Sequence, residues 1–470
     1  MATAMSQTPT TDISLGFTSQ EEETAVDSLR VTGELPAWLT GGLVRVTPAK
    51  LEVGDRRVDH WFDGLAMLNR FGFAGGKVSY KSRFLRSRAY EKAQHGELMG
   101  GFATDPCRSI FKRVQAIFSP DFTDNPNVNL ARIGDRYIAM TETPMPVEFD
   151  PETLDTIGHL EQADRLRAHV STAHPHHDPQ RGELVNYVAR FSRVSEYVLF
   201  GLPVESSTRR VIAKLPVERP AYMHAFGLSG RYLILAEYPL RVNPMKLALS
   251  GKPFIENYEW DGAESTRFQV IDRETGELRG TYETDAFFCF HHVNAFDRDG
   301  ELVLDLIAYD DSSIIDALYL DEHGPRAAIP PTELRRYTID LAGGGVRREQ
   351  LAEGTVELPR IDYGRRNTRD YRFAYFAGAD GGWIDRLVKV DVGDGTRTEW
   401  SEPGCYPGEP VFVRRPDASG EDSGVVLSVV LDSAAGRSFL LVLDAGSFEE
   451  LARAEAPHHI PFGFHGQYFR

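Results

Sequence analysis

The chain has 470 residues, of which 41% are hydrophobic, and this is enough to bury a large core. A formal net charge of −17 makes nucleic acid an unfavourable partner, because a phosphate-binding surface would oppose the overall charge. The three cysteines are too few and too far apart for a disulfide framework or a cysteine metal cluster, and no apolar segment of about 20 residues is present to span a membrane.

The beginning of the chain is polar. Residues 1–28 are predicted to be a polar lead-in that is partly disordered, and its first residues, "MATAMSQTPTTDISLG", lack the basic start and apolar stretch of a secretory signal. The sequence therefore predicts a cytoplasmic protein. Because no low-complexity linker divides the rest, residues 29–470 are predicted to form a single domain with insertions over one face.

Short apolar segments such as "DRYIAMTE", "RYLILAEY", "ELVLDLIAY" and "GVVLSVVLD" are bounded by Gly, Asp or Pro and predict that strands dominate. A second pattern is an apolar strand that ends on an aspartate and a turn, at Asp150, Asp272, Asp340, Asp391 and Asp444. The last three recur about every 50 residues, as expected when each blade of a propeller ends in the same outer hairpin. The sequence thus favours an all-β propeller over a pair of sandwiches.

Helical patterns are confined to insertions, of which the clearest are "RAYEKAQHGELMGG", "DPCRSIFKRVQAIF" and "PLRVNPMKLALSGKPF". Within the last two, residues 107–118 and 239–254 alternate Ile, Phe, Val, Met and Leu with Lys and Arg. Such a segment either packs its apolar side on the propeller or makes peripheral contact with an anionic membrane. Both interpretations stay open at this stage.

Four segments place a histidine in strand-like surroundings: His174 in "STAHPHHDP", His224 in "AYMHAFGLSG", His291 and His292 in "FFCFHHVNAF", and His465 in "GFHGQYF". A single histidine beside aromatic residues is usually a core or surface group. The inner strands of successive propeller blades line one axis, however, so residues that are far apart in sequence can converge there. Neutral imidazoles without cysteine suit iron, copper, zinc or nickel, although structural zinc sites usually contain cysteine.

Metal-bound imidazoles need an acceptor for the other ring nitrogen, and this acceptor is commonly a carboxylate. Three glutamates lie in apolar, strand-like surroundings: Glu142 in "IAMTETP", Glu357 in "GTVELPRIDY" and Glu409 in "YPGEPVFV". Taken singly, each is more typical of a turn or a surface position. As a group they are candidates for holding the metal-binding histidines.

The four histidine segments "TAHPHHDP", "MHAF", "FHHVNAF" and "PFGFHG" resemble those of the carotenoid cleavage oxygenases. The segments "HWFDGLAML", "TETP", "VELPRIDY" and "YPGEPVFV" are similar to further signatures of that family, and the match runs from about Leu29 to Arg470. One departure is that the family usually reads "RNGP" where this chain has "RVTPAK", from Arg45 to Lys50. The first strand or its turn is therefore expected to be built differently.

The resemblance implies an all-β, seven-bladed β-propeller with a helical and loop dome over the face that carries the metal site. It implies one non-haem Fe(II) per chain, with four ligands: His174, His224, His291 and His465. The implied acceptors behind them are Glu142, Glu357 and Glu409. The family ligand follows Phe in the "FHxxNA" pattern, which selects His291 over His292. The remaining histidines of these segments are then not ligands: His176, His177, His458 and His459.

Two further positions match family residues close to the open iron positions. They are Val128 in "NPNVNL" and Thr141, where small or β-branched side chains restrict access. Both residues also suit an ordinary strand core.

The resemblance further implies that the two atoms of O2 are inserted across one double bond of a conjugated polyene, giving two carbonyl products. The partners would then be O2 and an apolar carotenoid or apocarotenoid. Segments such as "DPCRSIFKR" and "LVLDLIAYDDSSII" are more similar to the animal carotene oxygenases, which include the retinoid isomerase, than to plant epoxycarotenoid enzymes.

Three alternatives stay open. One is retinoid-type isomerohydrolase chemistry on the same iron site. Another is cleavage of a stilbene, although Thr141 stands where stilbene-cleaving relatives tend to have Lys. The third is a carrier of apolar ligands that retains a metal for structural reasons.

Overall fold

The computed structural model describes residues 13–99, 101–104 and 123–470. In this part of the chain, seven antiparallel sheets have four or more strands each. The sheets follow one another along the chain and form the seven blades of a β-propeller, which confirms the predicted fold class.

Blades 2 to 4 use consecutive stretches of chain. Blade 2 consists of β8 (Asn129–Ile133), β9 (Arg136–Met140), β10 (Val147–Phe149) and β11 (Thr156–His159). Blade 3 consists of β12 (Val170–Ser171), β13 (His176–Asp178), β14 (Glu183–Arg190), β15 (Ser195–Pro203) and β16 (Arg210–Val217). Blade 4 consists of β17 (Gly227–Leu228), β18 (Tyr232–Glu237), β21 (Thr266–Asp272) and β22 (Leu278–Thr284).

Blades 5 and 6 are regular four-stranded meanders. Blade 5 consists of β23 (His292–Arg298), β24 (Glu301–Tyr309), β25 (Thr332–Asp340) and β26 (Val346–Ala352). Blade 6 consists of β27 (Thr355–Arg360), β28 (Phe373–Ala379), β29 (Ile384–Asp391) and β30 (Arg397–Ser401).

Blades 7 and 1 close the ring by exchanging strands between the two ends of the chain. Blade 7 consists of β2 (Val31–Gly33), β31 (Cys405–Pro407), β32 (Val411–Arg414), β33 (Gly424–Asp432), β34 (Arg437–Asp444) and β35 (Glu450–Glu455). Blade 1 consists of β1 (Ala25–Val26), β3 (Gly41–Lys50), β6 (Leu65–Ala74), β7 (Lys77–Phe84) and β36 (Gly466–Phe469). The early strand β2 thus completes blade 7, and the last strand β36 pairs with β3 in blade 1.

The recurrent aspartates mark the outer hairpin of five blades. Asp150 Oδ1 accepts backbone hydrogen bonds from Glu152 and Thr153 between β10 and β11. Asp272 does the same between β21 and β22. The other three occupy the equivalent turns of blades 5 to 7: Asp340, Asp391 and Asp444. A carboxylate that captures the turn amides explains why the pattern repeats with the blades.

Helices and small hairpins occupy the insertions. The helices of the described residues are α1 (Arg88–Gln94), α2 (Pro244–Ser250), α3 (Ser313–Ala317) and α4 (Tyr363–Arg366), with 3-10 turns at Ile13–Phe17, Trp61–Asp63 and Ile255–Asn257. Two small hairpins are β4 (Glu52–Val53) with β5 (Arg56–Arg57), and β19 (Leu240–Val242) with β20 (Tyr258–Trp260). No helix in the described part of the chain is long and apolar enough to cross a membrane.

The described structure begins inside the predicted lead-in. The 3-10 turn Ile13–Phe17 buries Phe17, whose ring contacts Trp61, Trp383 and Phe462. The departure from the family pattern, Arg45 to Lys50, lies in β3, whose pairing with β6 shifts register between Pro48 and Lys50.

The core consists mainly of clusters between neighbouring blades. One cluster joins blades 7 and 1 through residues such as Leu43, Phe71, Leu427 and Val442. Similar clusters join blades 1 and 2, 2 and 3, 3 and 4, 5 and 6, and 6 and 7. The largest one packs blades 4 and 5 and continues into the insertions over the metal-site face. Each blade is therefore held by its neighbours, so the axis is a rigid place for a site.

Candidate metal centre

Each of the seven blades contributes one of the residues singled out from the sequence. Histidines come from four blades: His465 just before β36 in blade 1, His174 between β12 and β13, His224 before β17, and His291 directly before β23. The other three blades supply the glutamates: Glu142 after β9, Glu357 in β27, and Glu409 between β31 and β32. Propeller symmetry therefore brings together residues that are up to several hundred positions apart.

The four histidines form one cluster on the axis. Each offers a ring nitrogen, and these four atoms lie within 4.8 Å of one another. The Nε2 atoms of His174 and His224 are 2.9 Å apart, and those of His291 and His465 are 3.2 Å apart. In the described residues this is the one group of three or more His, Cys, Asp or Glu side chains close enough to hold a metal ion.

Three of the histidines donate the other ring nitrogen to a glutamate. Nδ1 of His224 lies 2.7 Å from Glu142 Oε1, that of His291 lies 2.5 Å from Glu357 Oε2, and that of His465 lies 2.7 Å from Glu409 Oε1. These bonds set the tautomer and the direction of each ring. In the described part of the chain, no carboxylate hydrogen-bonds to His174.

The hydrogen bonds behind the rings leave lone pairs facing the axis. A neutral imidazole that donates Nδ1–H carries its lone pair on Nε2. His291 and His465 both donate in this way, so two lone pairs oppose each other across 3.2 Å. Such a contact is repulsive unless a cation lies between the nitrogens, and four imidazoles suit a borderline transition metal. The residues present therefore fit a bound metal ion.

Burial favours the neutral form of three of these imidazoles, those of His174, His224 and His465. Desolvation, together with the neighbouring histidines, lowers the pKa of His174 well below its usual value. Desolvation also lowers the pKa of His224, and that of His465 to about 4, although the adjacent glutamates oppose the shift. Neutral imidazole is the form that coordinates metals, so these three side chains are ready to bind a metal ion at neutral pH.

A second layer of hydrogen bonds holds the glutamates. The hydroxyl of Tyr222 donates to Glu142, at 2.9 Å from Oε1, and the hydroxyl of Tyr309 donates to Glu357 Oε1 at 2.7 Å. Glu409 is held by arginines instead, as described below. Sequence reasoning missed these partners, although both tyrosines lie inside or near quoted segments: "AYMHAF" and "ELVLDLIAY".

An apolar cavity lies against the histidines. It has about 600 Å³ of space, including its open mouth, which is in the usual range for a ligand site. Three of the histidines line it: His224, His291 and His465. Its other walls are mostly aromatic or branched aliphatic, and they include Trp61, Phe62, Phe290, Ile314, Trp383 and Phe464. These walls were not predicted, because apolar residues that face a cavity look like core residues in a sequence.

The remaining residues named from the sequence fall in different places. Val128 is buried and lines the cavity. Thr141 is half-buried and adjacent in sequence to Glu142, after the end of β9. His292 turns away from the cluster and hydrogen-bonds to the Tyr238 hydroxyl at 3.0 Å.

The other excluded histidines also have partners of their own. Nε2 of His176 lies 2.9 Å from the carbonyl of Phe226. His458 and His459 hydrogen-bond to backbone carbonyls near blades 1 and 7, and the His177 ring lies outside the cluster.

The family model described as retinal pigment epithelial membrane protein matches residues 17–470. A carotenoid-cleaving dioxygenase, mitochondrial, of Macaca fascicularis is 36% identical over 96% of this chain and 93% of that protein. The chain belongs to the carotenoid oxygenase family. A carotenoid isomerooxygenase of Galleria mellonella is 34% identical, over 95% of this chain and 94% of that protein.

Solved structures of the family have the same fold. A glutamate-to-glutamine mutant of the Synechocystis apocarotenoid oxygenase superposes with a TM-score of 0.88 at 28% identity, covering 97% of this chain and 98% of that one. The cobalt-substituted form of that oxygenase gives a TM-score of 0.85 at 28% identity, with coverage of 97% and 98%. The four-histidine cluster fits the metal site typical of this carotenoid oxygenase family.

Proposed function

We propose that this carotenoid oxygenase is an Fe(II)-dependent dioxygenase that cleaves one conjugated double bond of a carotenoid or apocarotenoid to two carbonyl products. The observation that carries the proposal is the cluster of four histidines that opens onto an apolar cavity. The names of the macaque and Synechocystis relatives point to the same class of substrate.

The ligands of the iron would be His174, His224, His291 and His465, with the three glutamates orienting all but His174. When bound, Fe(II) would supply the activation of O2. Four neutral ligands leave the full charge of the metal in place and occupy only four coordination positions.

The residues of the cavity would bind and orient the polyene. Aromatic and aliphatic walls exclude water and offer few hydrogen bonds, so a long hydrocarbon is favoured over a polar substrate. Val128 would limit the space beside the open iron positions, and Phe62, Phe290 and Phe464 would restrict the polyene to one path past the histidines. Holding one double bond at reaction distance lowers the entropic part of the barrier.

The test is incubation of the iron-loaded protein with carotenoids, apocarotenals and stilbenes under 18-O2, with products identified by mass spectrometry. Two carbonyl products that both carry label are expected from a carotenoid or apocarotenoid. Labelled products from stilbenes alone would contradict the proposed substrate class. No turnover of any polyene by iron-loaded protein would favour the carrier function instead.

Isomerisation is the second candidate, because the Galleria relative is named an isomerooxygenase. The same incubation separates the two reactions. An isomerised product without label would require isomerohydrolase chemistry at the same histidines, and labelled fragments would exclude it as the sole reaction.

We also propose that α2 makes peripheral contact with a membrane from which the apolar substrate is collected. Asn243 caps this helix by accepting from the amides of Met245 and Lys246, and the helix has no buried residue. Met245 and Leu249, one turn apart, are 70% and 68% exposed. An exposed apolar pair flanked by lysines suits an anionic lipid surface. The other predicted contact, residues 107–118, lies outside the described residues.

Sedimentation with anionic liposomes tests this contact. The parent is expected to sediment, and a Met245→Ser, Leu249→Ser variant is expected to stay in solution. The matched control is Ile157→Ser, Val194→Ser, which removes two side chains that are each 67% exposed elsewhere on the surface. Equal sedimentation of the α2 variant and the parent would contradict the proposal.

A further inference from the structure

The three glutamates behind the histidines carry different electrostatic surroundings. Glu142 and Glu357 each accept a hydrogen bond from a tyrosine hydroxyl. Burial raises the pKa of both Tyr222 and Tyr309 well above the usual value, so these donors are neutral. In each of these two histidine–glutamate pairs, the carboxylate is therefore held by a neutral donor and not by a positive charge.

Glu409 is held by two positive charges. Its Oε1 atom, which accepts from His465, also accepts from Arg360 Nε at 2.9 Å. Its Oε2 atom accepts from Arg45 Nη1 at 3.3 Å and from the amide of Gly466 at 2.9 Å. The side chains of Glu409 and Arg45 are only 1% and 3% exposed, and that of Arg360 is 18% exposed. Little water is present to screen these contacts.

Both arginines are fixed in place by other groups. Arg45 in β3 also donates to the carbonyl of Phe464 at 2.9 Å. Arg360 also donates to the carbonyl of Gly466, and its Nη1 lies 3.4 Å from Gln467 Oε1. These contacts draw the charge of the Glu409 carboxylate toward the two guanidinium groups.

A hydrogen-bonded carboxylate strengthens an imidazole as an electron donor by pulling on its Nδ1–H. Arginines that compete for the same carboxylate weaken this pull. We propose that Arg360 and Arg45 make His465 a weaker donor than His224 and His291, and thereby raise the ferric/ferrous potential of the iron held at this cluster. This inference rests on the proposed iron centre. Its consequence is a resting state that favours ferrous iron, the form that reacts with O2.

Arg360 also ties this effect to the neighbouring ligand. Glu357 and Arg360 lie in the same strand β27, whose pairing with β28 shifts register between them, with Leu358 at φ 54°. Because of this irregularity, one strand orients His291 through Glu357 and acts on His465 through Arg360. Arg360 is therefore a positioning residue, since it acts on the metal only through Glu409 and His465.

The test is the midpoint potential of the iron, measured by redox titration with the ferric electron paramagnetic resonance signal as readout. Arg360→Gln removes the charge but keeps a hydrogen-bond donor, and it is expected to lower the potential. Arg360→Lys keeps the charge and is expected to stay near the parent value. Tyr309→Phe, which removes a neutral donor from Glu357, is the matched control and is expected to cause a smaller shift.

A second variant avoids any loss of buried charge. Gln467 is half-buried, and Gln467→Glu places a carboxylate beside Arg360. This second carboxylate should weaken the attraction between Arg360 and Glu409, and it should lower the midpoint potential as Arg360→Gln does. If Arg360→Gln does not keep its iron, this variant decides the question.

The outcomes separate this inference from the proposed function. The parent could bind iron while the midpoint potential is unchanged or higher in both Arg360→Gln and Gln467→Glu. That result would overturn the inference and leave the proposed function standing. A midpoint potential that falls as far in Arg360→Lys as in Arg360→Gln would also overturn the inference, because the charge of Arg360 would then not be the cause of the shift. A parent that binds no iron would overturn the proposed function as well.

Discussion

At the scale of single residues, the site depends on which atoms lie behind the imidazoles. His291 and His292 are neighbours in sequence with opposite surroundings: one donates to Glu357, and the other meets the hydroxyl of Tyr238. Successive side chains along an extended strand point to opposite sides. One residue of the pair therefore reaches the axis, and the other does not.

Removal of a proposed ligand should release the metal. His224→Ala and His465→Ala are expected to lose their iron and all activity, because each removes one of four donor nitrogens. His292→Ala is the control and is expected to keep its iron. Metal analysis of the purified variants measures their iron content. A full complement of iron in both ligand variants would refute the assignment of His224 and His465 as ligands.

The glutamates should differ when each is replaced by glutamine. Glu357→Gln is expected to weaken metal binding by about 10- to 100-fold while the fold is kept, since the acceptor loses its charge. Glu409→Gln should also leave Arg45 and Arg360 without a carboxylate, at a cost of about 3 kcal/mol in the free energy of unfolding. Metal titration and chemical denaturation measure the two effects. Equal stability of the two variants would contradict the role of the arginines.

At the scale of elements, one carboxylate joins the 3-10 turn that lines the cavity to residues 101–104. Asp63, in the 3-10 turn that also carries Trp61 and Phe62, accepts from the amides of Ala103 at 3.0 Å and Thr104 at 2.8 Å, and from the hydroxyl of Thr104 at 2.8 Å. The same carboxylate accepts from the amide of Phe102 through its other oxygen. Phe102 then packs against Phe62, so the turn and residues 101–104 form one wall segment.

Asp63→Asn should loosen this wall segment. The three hydrogen-bond donors around Oδ2 remain in this variant, so an asparagine NH2 group at that position would face other donors and could not accept from them. The expected loss is about 1 to 3 kcal/mol in the free energy of unfolding. Denaturant unfolding measures it. Asp321→Asn is the control, because the exposed Asp321 accepts from one amide, that of His323, through Oδ1 and should lose little stability. Equal losses would argue against a special role for Asp63.

At the scale of the whole molecule, the ring is closed by the chain end that also carries His465. Gly466 follows this histidine, donates its amide to Glu409, and pairs with Arg45 as β36 joins β3. A Cβ atom at Gly466 would lie 2.8 Å from the carbonyl oxygen of Val44, which is backbone and cannot turn aside. Ring closure and metal binding therefore depend on the same few residues.

Gly466→Ala should weaken both ring closure and metal binding. Overpacking against β3 is expected to cost about 1 to 3 kcal/mol in the free energy of unfolding and to reduce metal content. Gly364→Ala is the control, since a Cβ atom there would meet no atom within 4 Å. Thermal unfolding and metal analysis are the measurements, and parent-like results for Gly466→Ala would show that β36 can shift without loss.

Features that depend on local chemistry could be recognised from the sequence. They are the histidine and glutamate motifs and the aspartates of the outer hairpins. The aspartate turns are short-range structures, and each histidine lies in a segment with its own pattern. The arginines behind Glu409 could not be recognised, although Arg45 and Arg360 both lie in quoted segments. Arginine in a strand is ordinarily a surface residue, and only contact with a residue 364 positions away makes Arg45 different.

By itself, the sequence determined the propeller class, the family and the seven residues from which a metal centre is proposed, because repeats and motifs are written in short stretches. Only the tertiary structure decided that each blade supplies one of these seven residues, that an apolar cavity opens beside them, and that one glutamate alone is held by arginines. These features depend on the closure of the ring. Closure brings the first and last strands together, and no local pattern records which side chains then meet on the axis.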